Sequence, residues 1–311
     1  MTEQRPALTP AVAIRLMRPE HWIKNVLVLF PVVSALRMGD ARAWLHAGLA
    51  AAAFCLLASA GYIVNDVRDR ESDRLHPQKK DRPLAAGTVG VPSALVLAGV
   101  LAAAGFAFAA ARGLPVVLAV AAYAGLQLAY SLLLKSKMLL DAIAIALGFV
   151  LRAVAGAAAI GVGVSPWLFI CTFTLCLFLA FCKRRNEVAT LPDADEARRH
   201  RPTLQGYTPE LLTHLTTFSA GVAVVSFLVY ALSESPIRRR AGGPSLVYTL
   251  PIVIYAIFRF AMLSMRGRYA DPTDLILHDR PFQLTLALWA AAVALVLCCG
   301  AELAGWLTGG G

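Results

Sequence analysis

The chain has 311 residues, 58% of them hydrophobic and 15% charged, with a mean hydropathy of +0.65 and a formal net charge of +10. This composition excludes an ordinary soluble globule and indicates an all-α integral membrane protein that crosses the bilayer several times. The basic excess does not require nucleic acid as a partner, because the basic residues lie in segments that flank apolar stretches.

Nine apolar segments are predicted to span the membrane as helices. In chain order they cover residues 22–36, 43–64, 89–111, 114–133, 138–160, 165–182, 211–232, 245–265 and 282–307. The predicted fold is a single polytopic domain over residues 1–311, a bundle of about nine transmembrane helices around a central cavity. Charged loops follow both the second and the sixth span. This rhythm predicts pseudo-repeat halves at residues 15–135 and 136–265, followed by a final helix at 282–307.

Lysine and arginine gather on one side of this predicted topology. That side holds the amino-terminal arm, the loop at 65–88, the turn after the fourth span, the loop at 183–210 and the segment after the eighth span. The basic residues of the opposite side are few: Arg37, Arg42, Arg112 and Arg238 to Arg240. Because loops rich in lysine and arginine stay cytoplasmic, we expect the 65–88 and 183–210 loops, and the mouth of the cavity, to face the cytoplasm.

Three aspartates stand at the end of the second predicted span. Asp66, Asp69 and Asp73 have the i, i+3, i+7 spacing that places three carboxylates on one face of a helix. Like charges at this spacing repel unless a cation joins them, and oxygen ligands of this kind suit Mg²⁺ bridged to substrate phosphates. Asn65 offers a further, neutral oxygen. We therefore predict a magnesium site in which the three aspartates are catalytic.

Basic side chains follow the aspartates and are candidates for binding phosphate oxygens. They are Arg74, His76, Lys79, Lys80 and Arg82. The alternative is a solvated, charge-rich loop held by local ion pairs, such as Glu71 with Arg74.

The loop that begins at residue 183 is the second charged feature. Lys183 and Glu187 are four residues apart, so they form either a helix-end ion pair or part of the site. If this loop faces the aspartate loop, Glu187 completes the metal shell while Lys183 and Arg184 bind phosphate.

Polar residues near the fourth and fifth predicted spans point to the same cavity. Tyr130 and Lys135 end the fourth span and Asp141 begins the fifth, near the membrane face of the aspartates. Arg152 lies 11 residues beyond Asp141, about 16 Å deeper along the same side of the helix. An arginine at that depth is expected to face the bundle interior, either as a partner of a backbone carbonyl or as a phosphate clamp.

The aspartate segment resembles the N-D-x-x-D-x-x-x-D motif of the UbiA superfamily of membrane prenyltransferases, and the similarity runs through nearly the whole chain. More narrowly, four segments are similar to the decaprenyl-phosphate phosphoribosyltransferase branch of that superfamily. They are the run from Arg18 to Asn25 with Lys24, residues 73–87, the turn from Tyr130 to Lys135, and Lys183-Arg184 with Glu187.

The resemblance implies a helical bundle in a bacterial-type inner (cytoplasmic) membrane, with Mg²⁺-dependent chemistry at its cytoplasmic mouth. It implies transfer of 5-phosphoribose from phosphoribosyl pyrophosphate to a polyprenyl phosphate, with release of pyrophosphate, on the way to the arabinose donor of cell-wall polysaccharides such as arabinogalactan. It also adds Lys24 and Asn25 to the candidate substrate-binding residues. It leaves the oligomeric state open.

The second half of the chain departs from the aromatic prenyltransferases of that superfamily. Where those enzymes carry a second aspartate-rich motif, residues 183–187 are Lys-Arg-Arg-Asn-Glu. The departure weighs against the first alternative function, attachment of a polyprenyl chain to an aromatic acceptor in quinone synthesis. The second alternative is a transporter of an anionic or phosphorylated lipid, for which a midplane site between broken helices is expected.

Overall fold

The computed structural model describes residues 8–75, 79–190, 206–233, 245–269 and 272–307. No β-strand occurs in these ranges, and the predicted all-α class is confirmed. The α-helices, in chain order, are α1 (Pro10–Met17), α2 (Phe30–Ser34), α3 (Ala41–Arg68), α4 (Arg70–Leu75), α5 (Val91–Ala110), α6 (Leu114–Leu132), α7 (Leu140–Ala159), α8 (Pro166–Thr190), α9 (Pro209–Leu232), α10 (Leu250–Met265), α11 (Pro272–His278) and α12 (Arg280–Leu307). Within the same ranges, 3₁₀ helices cover Pro19–Val28, Leu134–Ser136 and Ser245–Thr249.

Seven helical segments in the described part of the chain are long and apolar enough to cross a membrane. They are Ala41–Arg68, Val91–Ala110, Leu114–Leu132, Leu140–Ala159, Pro209–Leu232, Leu246–Met265 and Arg280–Leu297. Helix α8 occupies the sixth predicted span but is not one of these seven. The multi-pass membrane character is therefore confirmed, while the count of nine spans is not.

The first predicted span, residues 22–36, is not one continuous helix. A ten-residue 3₁₀ helix, Pro19–Val28, precedes the five-residue helix α2. Side chains of this 3₁₀ helix bond to α3: Trp22 Nε1 donates to Ser59 Oγ at 3.0 Å, and Asn25 Nδ2 donates to Cys55 Sγ at 3.2 Å. Because 3₁₀ runs beyond about four residues are uncommon, we attribute the length of this one to these tertiary bonds.

The chain divides into two compact units. The first comprises Met1–Val33, Arg37–Leu132 and Leu151–Gly163. The second comprises Ser34–Leu36, Leu133–Val150 and Val164–Gly311. The pseudo-repeat halves at 15–135 and 136–265 stay a prediction.

Helix α3 is the centre of the first unit and packs against α5, α6 and the 3₁₀ helix. Small residues let the helices approach closely: a Cβ added at Gly105 of α5 would lie 3.1 Å from the carbonyl oxygen of Ala53 on α3. The rings of Phe54 and Tyr123, with centroids 4.9 Å apart, fill the space between α3 and α6. This packing holds the middle of α3, the helix whose carboxyl end carries Asp66.

Helices α8 and α9 pack together in the second unit, and α10 packs against both. Buried aromatic rings hold this core: Phe260 meets Phe178 and Phe282 edge-on, with centroids 5.8 and 6.0 Å apart. Phe178 of α8 is thereby packed one to two turns before the charged residues that begin at Lys183.

Candidate active site

Asp66 and Asp73 are two buried carboxylates at the end of α3. Their exposed fractions are 3% and 4%. Helix α3 ends at Arg68 and is followed by its C-cap residue Asp69, with φ −87° and ψ 4°; α4 begins at Arg70. The predicted helical face is thus interrupted at Asp69, but Asp66 and Asp73 still contact the same guanidinium.

One nitrogen of Arg82 joins these two carboxylates. Its Nη1 lies 2.7 Å from Oδ2 of Asp73 and 3.3 Å from Oδ1 of Asp66. The loop that carries Arg82 is fixed by Leu84, which is buried in a cluster with Leu16 and other apolar residues of the first unit. A cationic group therefore lies between the carboxylates, as the like-charge argument requires.

Arg18 is a second guanidinium on Asp66. Its Nη2 lies 2.6 Å from both carboxylate oxygens, and its Cζ lies 5.5 Å from the ring centroid of Tyr62. The sequence placed Arg18 in a motif but did not predict it as a site residue. The two partners are 48 residues apart, a separation for which no spacing rule exists.

The other predicted residues near the aspartates form local contacts or lie in the following loop. Asn65 donates its Nδ2 to Oδ2 of Asp69 at 3.0 Å. Arg74 forms the exposed ion pair with Glu71 that the sequence offered as the alternative, at 3.0 Å. Lys79 is half-buried in the loop before Arg82. His76 lies outside the described residues.

The donor set fits a divalent cation held by few protein ligands. Within the described ranges, no three His, Cys, Asp or Glu side chains are gathered closely enough to hold a metal ion. Mg²⁺ is usually held by one or two carboxylates, with waters and phosphate oxygens as its other ligands. Asp66 and Asp73, which share one cationic nitrogen, suit this arrangement.

Arg152 faces the interior of the first unit, as its predicted depth implies. It is 6% exposed and donates Nε to Oδ1 of Asn25 at 2.7 Å and Nη2 to the hydroxyl of Tyr123 at 2.9 Å. Its Cζ also lies 4.7 Å from the Tyr123 ring centroid. These contacts tie α7 and α6 to the 3₁₀ helix that carries Lys24 and Asn25.

In the second unit, Arg184 joins two acids. Its Nε lies 2.9 Å from Oδ2 of Asp141, and the exposed fractions of the two side chains are 1% and 0%. Arg184 also forms an ion pair with Glu187, one turn further along α8. Tyr207 donates its hydroxyl to Oδ1 of Asp141 at 3.0 Å and accepts from the N–H of Leu139. Burial raises the pKa of Tyr207 to about 12, so this hydroxyl remains a donor at neutral pH.

The last predicted residues lie in three separate helical elements. Tyr130 is in the final turn of α6, Lys135 is in the 3₁₀ helix Leu134–Ser136, and Lys183 is in α8, all three half-buried. The expectation that Glu187 adds to the aspartate shell stays a prediction.

The model of the UbiA prenyltransferase family matches residues 26–277. The chain belongs to this family. The decaprenyl-phosphate phosphoribosyltransferase of Corynebacterium glutamicum is 32% identical over 288 residues, covering 91% of this chain and 86% of the relative. The protein of the same name from Mycobacterium tuberculosis is 33% identical over 301 residues, covering 96% and 98%.

The UbiA fold is also found among solved structures. A UbiA homologue from Archaeoglobus fulgidus, solved with GPP and Mg²⁺ bound, has a TM-score of 0.71 and 21% identity, covering 92% of this chain and 99% of that one. The UbiA match begins at residue 26, so Arg18 and the 3₁₀ residues Lys24 and Asn25 lie before the matched region.

Proposed function

We propose that this chain transfers 5-phosphoribose from phosphoribosyl pyrophosphate to a polyprenyl phosphate and releases pyrophosphate. The observation that carries the proposal is the pair Asp66 and Asp73 around one cationic nitrogen of Arg82, at the end of a membrane-spanning helix. The activity in the names of the two curated relatives, which are similar to nearly the whole chain, supports the same reaction.

In this proposal Asp66 and Asp73, with Asp69 beside them and Glu187 as a further candidate, hold Mg²⁺. When bound, the ion would neutralise the negative charge that develops on the departing pyrophosphate. The Mg²⁺ in the solved archaeal homologue supports a divalent ion in this role. The burial of the two carboxylates keeps them oriented towards one cation.

Cationic side chains of this chain are proposed to bind the phosphate groups of donor and acceptor. They are Lys24, Arg74, His76, Lys79, Arg82, Lys135, Lys183 and Arg184. A donor that carries a 5-phosphate besides its diphosphate, and an acceptor that is itself a phosphate, need more positive charge than a prenyl diphosphate alone. The basic segment at 183–187 supports this donor and acceptor.

The acceptor needs no strong general base, because its phosphate is already ionised. Its oxygen bonds to C1 of the ribose as the bond from C1 to the pyrophosphate oxygen breaks, and the electron pair leaves with pyrophosphate. Cations beside the pyrophosphate stabilise this separation of charge.

Other polar residues are proposed to shape the site. Asn65 orients Asp69, as their hydrogen bond indicates. Asn25 and Arg152 bond to each other in the interior, so we assign them to positioning the 3₁₀ helix that carries Lys24. Asp141 orients Arg184, and Tyr130 is a candidate substrate contact.

The site is proposed to open to the cytoplasm in a bacterial-type inner membrane, where a phosphorylated sugar donor is available. The concentration of lysine and arginine in the segments 65–88 and 183–210 supports this orientation. The product would serve as a precursor of a lipid-linked pentose donor for cell-wall polysaccharide.

The direct test uses purified protein, a polyprenyl phosphate, radiolabelled phosphoribosyl pyrophosphate and Mg²⁺. We expect label to enter the lipid phase and to stay in the aqueous phase when a chelator is added. No transfer, together with activity on a prenyl diphosphate and an aromatic acid, would replace the proposal with the aromatic prenyltransferase. Flux of a phosphorylated lipid without any chemical change would support the transporter.

The Asp69→Asn substitution tests the metal site in the same assay. It removes one carboxylate charge beside the proposed ion, and we expect turnover to fall about 100-fold or more, with the protein still folded. Glu71→Gln is the matched control, because Glu71 is two residues away and exposed, and its ion pair among the described residues is with Arg74 in the same short helix. Unchanged turnover in Asp69→Asn would contradict the assignment.

A further inference from the structure

Arg18 occupies a backbone conformation that usually belongs to glycine. It lies between α1 and the 3₁₀ helix with φ 53° and ψ 62°, in the left-handed region. For a residue with a Cβ this region costs about 1–2 kcal/mol. Such an outlier points to a role for the side chain that offsets the cost.

The side chain of Arg18 is directed at one acid. Nη2 contacts both oxygens of Asp66 at 2.6 Å, and the guanidinium lies against Tyr62, one turn before Asp66 on α3. Among the described residues, Asp66 is the acid with which Arg18 forms an ion pair. Arg82, in contrast, is closer to Asp73, at 2.7 Å, than to Asp66, at 3.3 Å.

Asp66 therefore contacts two guanidinium groups, one of which, that of Arg82, it shares with Asp73. Two cations at hydrogen-bond distance oppose the approach of a dication to the same carboxylate. A dication bound to Asp66 would displace the Arg18 guanidinium from its carboxylate. A diphosphate that enters with the dication supplies replacement negative charge, and the planar guanidinium matches phosphate oxygens as well as it matches a carboxylate.

We propose that Arg18 is a further diphosphate-binding residue of the site. It holds Asp66 in the absence of substrate and moves from that carboxylate to the diphosphate when magnesium and diphosphate enter together. This inference rests on the proposed function, because it takes Asp66 as a metal ligand. Arg18, and not Arg82, is the arginine that moves, because Arg82 keeps its shorter contact to Asp73.

The test compares the intact protein with its Arg18→Gln variant in detergent by titration calorimetry, with no lipid substrate present. With Mg²⁺ alone, we expect the variant to bind about tenfold more tightly, because one competing cation has left Asp66. With Mg²⁺ saturating, we expect inorganic pyrophosphate to bind about tenfold more weakly, because one of its partners is missing. These opposite changes are specific to a residue that exchanges between the two groups.

Arg15→Gln is the matched control. It removes the same charge one turn earlier, where Arg15 donates to the backbone carbonyl of Asp81 at 3.0 Å. Both affinities should stay unchanged in this variant. In an Asp66→Asn background, Arg18→Gln should no longer tighten Mg²⁺ binding, because the competition takes place on that carboxylate.

The outcomes separate the two claims. If Mg²⁺ binds the intact protein and Arg18→Gln changes neither affinity, the role of Arg18 is overturned while the metal site stands. If neither protein binds Mg²⁺ with or without pyrophosphate, the inference and the proposed metal site both fail. Should Arg18→Gln not fold, Arg18→Lys keeps the charge but loses the planar fork, and the same two shifts are expected at smaller size. Equal affinities in Arg18→Lys and the intact protein would then overturn the inference.

Discussion

Asp279 is a single carboxylate that joins two helices of the second unit. It accepts hydrogen bonds from Nε and Nη2 of Arg259 on α10, at 2.7 and 3.0 Å, and from the N–H of Phe282 in the first turn of α12, at 2.8 Å. These bonds, the Arg259 guanidinium first among them, lower the pKa of Asp279 below its ordinary value. Arg259 therefore has a structural partner that the sequence did not identify.

Asp279→Asn should destabilise the protein by about 2 kcal/mol or more, because Arg259 loses its counter-charge in a largely buried position. The pKa of Asp279 is lowered on folding, so its contribution is complete above the ordinary value of 3.8 and is lost as the pH falls through the lower, folded-state pKa. Thermal unfolding in detergent should show a constant gap between the two proteins from about pH 8 to 5, narrowing below about pH 4. Asp274→Asn, at an exposed position on α11, is the control. A gap that widens in acid would contradict this account.

Tyr207 is the neutral member of the buried group around Asp141. Its hydroxyl bonds both to Asp141 and to Leu139, a residue with φ 66°. We expect Tyr207→Phe to lower stability by about 1–3 kcal/mol, because Asp141 loses a donor where water does not replace it.

The pKa of Tyr207, raised to about 12, gives this prediction its pH dependence. A raised pKa means that the contribution of the hydroxyl is complete below the ordinary value of 10 and is lost as the pH rises towards 12. The stability difference should thus be flat between about pH 6 and 9. A difference that grows or vanishes across that range would show that Tyr207 ionises there.

The 3₁₀ helix Pro19–Val28 is the element in which the structure departs most from the sequence-based expectation. Its apolar residues fit a membrane span, but its polar side chains bond to α3 and α7. Its carboxyl end lies directly against α7 at Gly156, where an added Cβ would overlap the carbonyl oxygen of Val28 and lie 3.1 Å from Cγ of Pro31. The absence of a side chain at Gly156 lets this element lie where it does.

Gly156→Ala tests this close approach. The new methyl group meets backbone, which cannot change rotamer, so we expect a loss of about 1–3 kcal/mol and reduced transfer activity as the 3₁₀ helix shifts. Gly99→Ala on α5 is the control, because nothing lies within 4 Å of a Cβ there. Because alanine has a higher helix propensity than glycine, the stability of Gly99→Ala should equal or exceed that of the unsubstituted protein. Equal unfolding temperatures and rates in Gly156→Ala and the unsubstituted protein would contradict the proposed close packing.

At the scale of the whole molecule, the contacts between helix ends in the first unit agree with the predicted topology, in which successive spans alternate in direction. Arg37 and Arg112 donate to the carbonyls of Ile160 and Ala159, so both lie at the carboxyl end of α7. Arg68, at the end of α3, donates to the carbonyl of Ser131 near the end of α6. Each group of ends was predicted to share one side of the membrane. Which side faces the cytoplasm stays a proposal.

Cysteine labelling in membrane vesicles tests that proposal. In a background without the native cysteines, Lys80→Cys should react with an impermeant thiol reagent only in inside-out vesicles, and Ala111→Cys only in right-side-out vesicles. Both positions are exposed and lie on opposite predicted sides. The reverse pattern would place the aspartates outside the cytoplasm.

Local patterns of the sequence were sufficient for several features of this protein. The length of the apolar segments predicts membrane helices, because a helix must cover the hydrocarbon core. The spacing of Asp66, Asp69 and Asp73 predicts a cluster of carboxylates that needs a cation, and two of the three meet at Arg82. The depth of Arg152 along α7 predicts an interior position, which is observed.

Only the tertiary structure decided which charges meet. Arg18 and Asp66 are 48 residues apart, and Asn25 and Arg152 are 127 apart, so their pairing depends on how α3, α7 and the 3₁₀ helix pack. The 3₁₀ helix Pro19–Val28 likewise bonds to the distant helices α3 and α7. The sequence by itself predicted most of the membrane helices and the grouping of Asp66 with Asp73, because both follow from spacing along one helix. The partners of its buried charges follow from packing between helices, which spacing does not specify.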